Sequence, residues 1–229
     1  MAFHYSPKIA TDNLDFCLDT ANPKSFLNGD SSIKDMMGKK SISLVNGVTY
    51  DSNNSGSLVF DGINQYCLYG TSYPLTSQMS FDIWLMRYQS NNIYNMVFSY
   101  SLPYLSFRNI NTFFFSFNTR LSGVSTQRSY STTNTYLDNT WYNVCCTLDQ
   151  NLTTGDVVSN IYVNGEIEKT YSLSGVVDSI VQPITFRLGD HTGVSYPFNG
   201  RISNMKVYSK ILSSDEVRQN YRALKNRFL

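Results

Sequence analysis

Apolar and β-branched residues come along this chain in short runs, separated by clusters of Gly, Pro, Asn, Asp and Ser, and that rhythm predicts strands and turns. The clearest runs lie at 57–61 (SLVFD), 65–69 (QYCLY), 80–88 (SFDIWLMRY), 94–100 (YNMVFSY), 112–117 (TFFFSF) and 141–148 (WYNVCCTL). Further strands read at 160–163, 167–171, 184–188 and 202–208. In the run from Trp141, Tyr142, Val144, Cys146 and Leu148 fall on one face and Trp141, Asn143, Cys145 and Thr147 on the other. Period 2 of this kind predicts a half-buried strand with a single face toward the core.

Local chemistry sharpens several boundaries. Asn164-Gly165 sits between two strand runs, and both residues tolerate the positive φ angles of a tight hairpin turn. Ile202 falls out of phase with Met205 and Val207, which predicts a bulge at Ser203-Asn204 in a strand near an edge or a sheet corner. Leu212, Val217, Tyr221 and Leu224 then follow helical spacing behind Ser213 or Ser214 as N-cap, with acids in the first turn and bases later. Residues 23–40 read as a long loop, and 118–140 as a loop or a solvent-facing edge hairpin. The expectation is one domain over 1–229, all-β, an antiparallel β-sandwich with an N-terminal arm at 1–13 and a short helix at 213–227.

Composition narrows the function classes. Tyr and Phe, 17 and 14, far outnumber the 2 Trp, which suits pleated surfaces. Lys and Arg total 18 against 17 acids, so the net charge of +1 supplies no broad field for nucleic acid or an anionic membrane. The opening MAFHYSPKIATDN has neither the basic start nor the apolar core of a secretion signal, and no apolar stretch approaches membrane-spanning length. Synthesis in a cytoplasm without membrane insertion is the expectation. Cys17, Cys67, Cys145 and Cys146 form no CxxC pair, so they read as free thiols packed as small hydrophobes.

Six segments in order resemble the laminin G-like branch of the concanavalin A-like lectin and glucanase superfamily. They are GSLVFDGINQY at 56–66, SFDIWLM at 80–86, Trp141-Tyr142, IYVNGE at 161–166, FRLGD at 186–190, and FNGRISNMKVYSKILSSDEVRQNY from Phe198 to Tyr221. The resemblance implies a concanavalin A-like jelly roll. The front of the chain, at 6–26 and 44–62, is similar to virion proteins of tailed bacteriophages. That likeness implies a non-enzymatic virion structural protein, such as a capsid decoration protein, displayed on the particle surface and bound to capsid or other virion proteins or to copies of itself. The alternative is a carbohydrate-binding adhesin or receptor-binding domain of a tail or head fibre, with a cell-surface glycan as partner.

The candidate chemistry is sparse. Superfamily members that cleave β-glucans carry a Glu-x-Asp-x-x-Glu run, and none is present; Glu166, Glu168 and Glu216 are the only glutamates. With His4 in the N-terminal arm, any nucleophile-histidine pair rests on His191. Asp190 follows a strand directly and reads either as a turn-forming residue or, by the resemblance, as a calcium ligand at the sandwich rim. Asp190, His191, Tyr196 and Asn199 are the candidate ligand-binding residues, since sugar sites on this fold set an aromatic platform beside Asn, Asp or Gly donors. Other tyrosines lie in or beside loops, at 94, 100, 104, 130 and 136. The charges at 215–227 read as a solvated face, with pairing of Arg218, Arg222 and Arg227 to an acidic neighbour on a particle as the alternative.

Overall fold

The computed structural model describes residues 8–38, 41–71, 76–90, 94–99, 104–108, 113–119, 128–151, 153–174, 185–191 and 196–229. Among them sixteen strands run β1 (Leu14–Asp19), β2 (Ser32–Lys34), β3 (Ser41–Val45), β4 (Thr49–Asp51), β5 (Ser57–Asp61), β6 (Tyr66–Thr71), β7 (Gln78–Arg87) and β8 (Tyr94–Ser99). They continue as β9 (Tyr104–Arg108), β10 (Phe114–Thr119), β11 (Arg128–Ser131), β12 (Trp141–Gln150), β13 (Val157–Val163), β14 (Glu166–Leu173), β15 (Thr185–Leu188) and β16 (Asn199–Tyr208), followed by helix α1 (Ser214–Leu224).

The strands form two antiparallel sheets. The first has the order β14-β13-β12-β7-β16-β5-β4, with β1 also on β16; the second has the order β11-β10-β9-β8-β15-β6-β3-β2. Between the sheets lies an apolar core. From the first sheet Phe81, Ile83, Val144, Cys146, Met205 and Val207 enter it, and from the second Cys67, Val97, Leu105, Phe107, Phe115 and Leu188. All of these are at most 1% exposed. Burying a large apolar side chain is worth about 1.5–3 kcal/mol, so this layer carries most of the driving force for the sandwich.

The alternation in β12 holds, but its second face is not solvated. Trp141, Asn143, Cys145 and Thr147 are also buried, because α1 and the segment around Ala10 cover the outside of the first sheet. Trp84 shows the packing: Tyr221 stacks on it at 5.7 Å and Phe228 at 4.3 Å. The helix begins where its sequence says, with Ser213 as N-cap and a reciprocal capping box to Glu216.

Asn164 and Gly165 both take positive φ, 52° and 84°, as the hairpin between β13 and β14 requires. The turn also packs on the helix, since a Cβ on Gly165 would lie 3.1 Å from the Tyr221 ring. The bulge in β16 is present between Ile202 and Asn204. The expected edge position is wrong, because β16 is central, with β7 on one side. On its other side Asn199–Ile202 pair with β5 and Asn204–Tyr208 pair with β1, so the bulge marks a change of neighbour. The expected 23–40 loop contains the edge strand β2, and 118–140 contains the end of β10 and the edge strand β11, which pair as a hairpin. Arg218 bonds Glu166 and Arg227 bonds Asp19, so two of the three helix-side arginines take acidic partners from this chain.

Candidate functional site

The helix leaves the outer face of the second sheet as the place where the sequence candidates gather. On β15, Phe186 and Leu188 point into the core at 2% and 0% exposure, so Arg187 between them points outward. On β6, buried Cys67 and Tyr69 flank Leu68, which puts Tyr66 and Leu68 on the same outer side. Registers place Leu68 opposite both Arg187 and Ser43. At the far edge of this face, Ile33 is buried while Ser32 and Lys34 alternate outward, beside a groove of about 380 Å³ lined by Lys24, Lys34, Asp35, Met36, Gly38 and Ser41.

The segment between β15 and β16 carries three of the four predicted site residues, and Asn199 opens β16. Asp190 is nearly buried, and its Oδ1 accepts the Tyr196 backbone N–H at 2.9 Å. Its Oδ2 lies 3.7 Å from Arg187 Nη1. Asp190 therefore fixes the two ends of the connection to β16, and a cation there would compete with a guanidinium. Among the described residues no group of three or more His, Cys, Asp or Glu converges to hold a metal ion. The rings of His191 and Tyr196 lie edge to face at 6.4 Å, and the His191 carbonyl accepts from Arg187 Nη1 at 3.3 Å. These three residues and Arg187 form one cluster. Asn199 stands apart: its amide donates to the Gln89 carbonyl at 2.9 Å and its Cβ faces Gly62, so it ties the β5–β6 and β7–β8 connections to the start of β16.

Sequence reasoning missed Arg187 and Tyr66. The guanidinium of Arg187 sits 4.3 Å from the Tyr66 ring centroid, a contact between β15 and β6 that no local pattern announces. Their strands were legible; an alternation test on FRLGD, placing Phe186 and Leu188 inward, was the available signal. Of the loop tyrosines, Tyr136 is buried against Phe115 and Tyr142 and belongs to the core. Tyr100 and the side chains of Tyr94, Tyr104 and Tyr130 lie outside the described residues, as do His4, Thr192 and Gly193.

Glu166, Glu168 and the cysteines are engaged elsewhere. Two hydrogen bonds from Arg218 hold the Glu166 carboxyl below its ordinary value, and both Glu168 carboxylate oxygens accept from the Asn134 amide. All four cysteines are free and buried, and burial pushes the Cys17 thiol up to about 11 and raises the other three as well. No described helix is long and apolar enough to cross a membrane.

Comparison with known proteins agrees with this architecture. Among solved structures the chain is similar to domain 4 of AbnA, a GH43 extracellular arabinanase from Geobacillus stearothermophilus, in complex with arabinotriose. The TM-score is 0.66 at 13% identity, over 91% of this chain and 98% of that one. It is also similar to the botulinum neurotoxin type G receptor binding domain, TM-score 0.64 at 15% identity, over 92% of this chain and 51% of that one. The binding domain of Paraclostridial Mosquitocidal Protein 1 gives 0.64 at 16% identity, over 91% and 52%. The chain thus spans about half of each toxin binding domain. No curated protein sequence matches it significantly. The family pattern of the concanavalin A-like lectin/glucanases superfamily matches residues 60–218. With two antiparallel sheets, one capped helix and that match over most of its length, the chain belongs to the laminin G-like branch of the concanavalin A-like lectin/glucanases superfamily.

Proposed function

We propose that this protein is a non-catalytic, lectin-like binding domain whose ligand is a glycan, and that it is carried on the surface of a bacteriophage particle. The observation that carries the glycan reading is the Arg187-Tyr66 pair on the outer face of the second sheet, half-exposed and bordered by His191 and Tyr196. Aromatic rings give a sugar an apolar surface, and a guanidinium gives its oxygens hydrogen bonds. Support from relatives is coarser: the arabinanase domain was solved with arabinotriose, and the toxin domain is a receptor binding domain.

The carboxylates support the non-catalytic reading. Glu166 and Glu168 are bonded to Arg218 and Asn134, two different partners, and Asp82 is fully buried, so none of these offers a free acid-base pair to a bound sugar. The virion placement rests on the resemblance of residues 6–26 and 44–62 to phage virion proteins. Incubating the purified chain with a glycan array and with purified particles tests both parts. Binding to a defined sugar without its cleavage, together with sedimentation with particles, is the expected outcome. Release of shortened sugars contradicts the non-catalytic reading, and failure to sediment with particles contradicts the virion placement.

A further inference from the structure

Arg187 differs from four of the other five arginines with described side chains. Arg87 Nε bonds Asp138 at 2.5 Å, Arg201 bonds Asp51, Arg218 bonds Glu166 twice, and Arg227 bonds Asp19 twice. Each of these charges is matched by a carboxylate at hydrogen-bond distance. Arg187 faces its nearest carboxylate oxygen at 3.7 Å, beyond a hydrogen bond, while the other oxygen of Asp190 is taken by Tyr196 N–H.

The guanidinium is under-coordinated for its position. Among the described residues it makes one hydrogen bond, the 3.3 Å contact to the His191 carbonyl, and its Nε is covered without an acceptor. A buried donor left unbonded costs on the order of 1–3 kcal/mol relative to a satisfied one. Yet the side chain is held in place by the Tyr66 ring and is 26% exposed. Arg222, by contrast, stands on the solvent side of α1 without such a support. A fixed, incompletely paired cation on a central strand of the sheet is suited to an anion that arrives from solution. At the groove beside the edge strand β2, Lys24 and Lys34 stand against the single carboxylate of Asp35.

We propose that Arg187 and Tyr66 form a subsite for a carboxylate-bearing sugar, a uronic or nonulosonic acid. The carboxylate takes charge-assisted hydrogen bonds from the terminal nitrogens of Arg187, and the apolar face of the ring rests on Leu68 and the edge of Tyr66. Asp190 is a positioning residue here: it holds the segment at His191 and Tyr196 and keeps the guanidinium from swinging away. A neutral sugar leaves the charge of Arg187 unmatched, so the subsite discriminates by charge. This inference rests on the glycan-binding reading and adds the ligand class.

The test is a calorimetric titration of the full chain with sodium glucuronate, sodium N-acetylneuraminate, glucuronamide, glucose and sodium acetate. At least one sugar acid is expected to bind about tenfold or more tightly than glucose and glucuronamide. Arg187→Gln removes that preference while the urea unfolding midpoint stays at the parent value; Arg187→Lys, which keeps the charge but loses the planar fork, weakens it in part. Equal affinity for glucuronate and its amide overturns the proposal, as does a preference that survives Arg187→Gln. Acetate binding as tightly as the sugar acids also overturns it, since that reports an adventitious ion only. If neutral glycans bind regardless of Arg187, the subsite fails and the glycan reading stands; if no sugar of either charge binds, on the array or here, both fail.

Discussion

Lys206 on β16 and Asp82 on β7 meet at 3.0 Å with both side chains fully buried, on the face of the first sheet that α1 covers. Around them Asn143 and Asn220 donate to the Asp82 carboxylate and Asn204 accepts from Lys206. Asn220 also accepts from the Ala10 backbone N–H, and Tyr208 donates to the Ala10 carbonyl. One charged pair thus ties together the helix, the arm before β1 and the centre of the sheet.

Removing one member of that pair strands the other in an apolar setting. Lys206→Met or Asp82→Asn is expected to destabilise the fold by about 3–5 kcal/mol, and the double replacement by less than the sum of the two. Urea unfolding of the three variants measures the coupling. Strict additivity would show that the pair acts as two independent groups.

The helix start should respond to acid. Partial burial raises the Glu216 carboxyl, but bonds from Lys210 and from the Ser213 backbone and hydroxyl outweigh it and leave the group below its ordinary value of 4.5. A depressed folded value means the stabilisation is full above 4.5 and is lost as pH falls through the lower, folded value. Glu216→Gln is therefore expected to lower stability at pH 7 and to flatten its acid dependence. Thermal melts of the two proteins from pH 7 to pH 3, at equal salt, check this.

Phe228 closes over the sheet by stacking on Trp84 at 4.3 Å and touching Trp141 at 4.7 Å. Phe228→Ala is expected to cost about 3–5 kcal/mol and to expose both indoles to water. A red shift of tryptophan emission in the native state, absent in the parent protein, is the corresponding signal.

Gly189 joins β15 to the candidate site with φ at +92°, and a Cβ there would lie 2.6 Å from the Phe60 ring. Gly189→Ala is thus expected to destabilise by about 1–3 kcal/mol and to displace Asp190 and His191. Parent-like stability and unchanged amide shifts for 190–196 would contradict this account of the turn.

Much of the sandwich was legible because its signals are local. The period-2 runs, Asn164-Gly165, the phase slip at Ser203-Asn204 and the Ser213 cap each act within a few residues, and each is found in place. What was not legible depends on partners far apart in the chain. Alternation in β12 could not reveal that α1 buries its second face, and the short edge strands β2 and β11 carry too few apolar residues to stand out. The site divides the same way. Asp190, His191 and Tyr196 were visible as a strand-end cluster, whereas Tyr66 joins Arg187 only through the pairing of β6 with β15. Asn199 was selected for its amide, which the fold uses to hold Gln89.

The claim on which the function rests is that ligand meets the second sheet on its outer face, away from the helix. Backbone amide shifts, recorded while the strongest array ligand is titrated into the full chain, test it most directly. The account predicts saturable perturbations centred on Tyr66, Leu68, Arg187 and His191, with the amides of α1 still. Perturbations confined to α1 and the β13–β14 hairpin would contradict it.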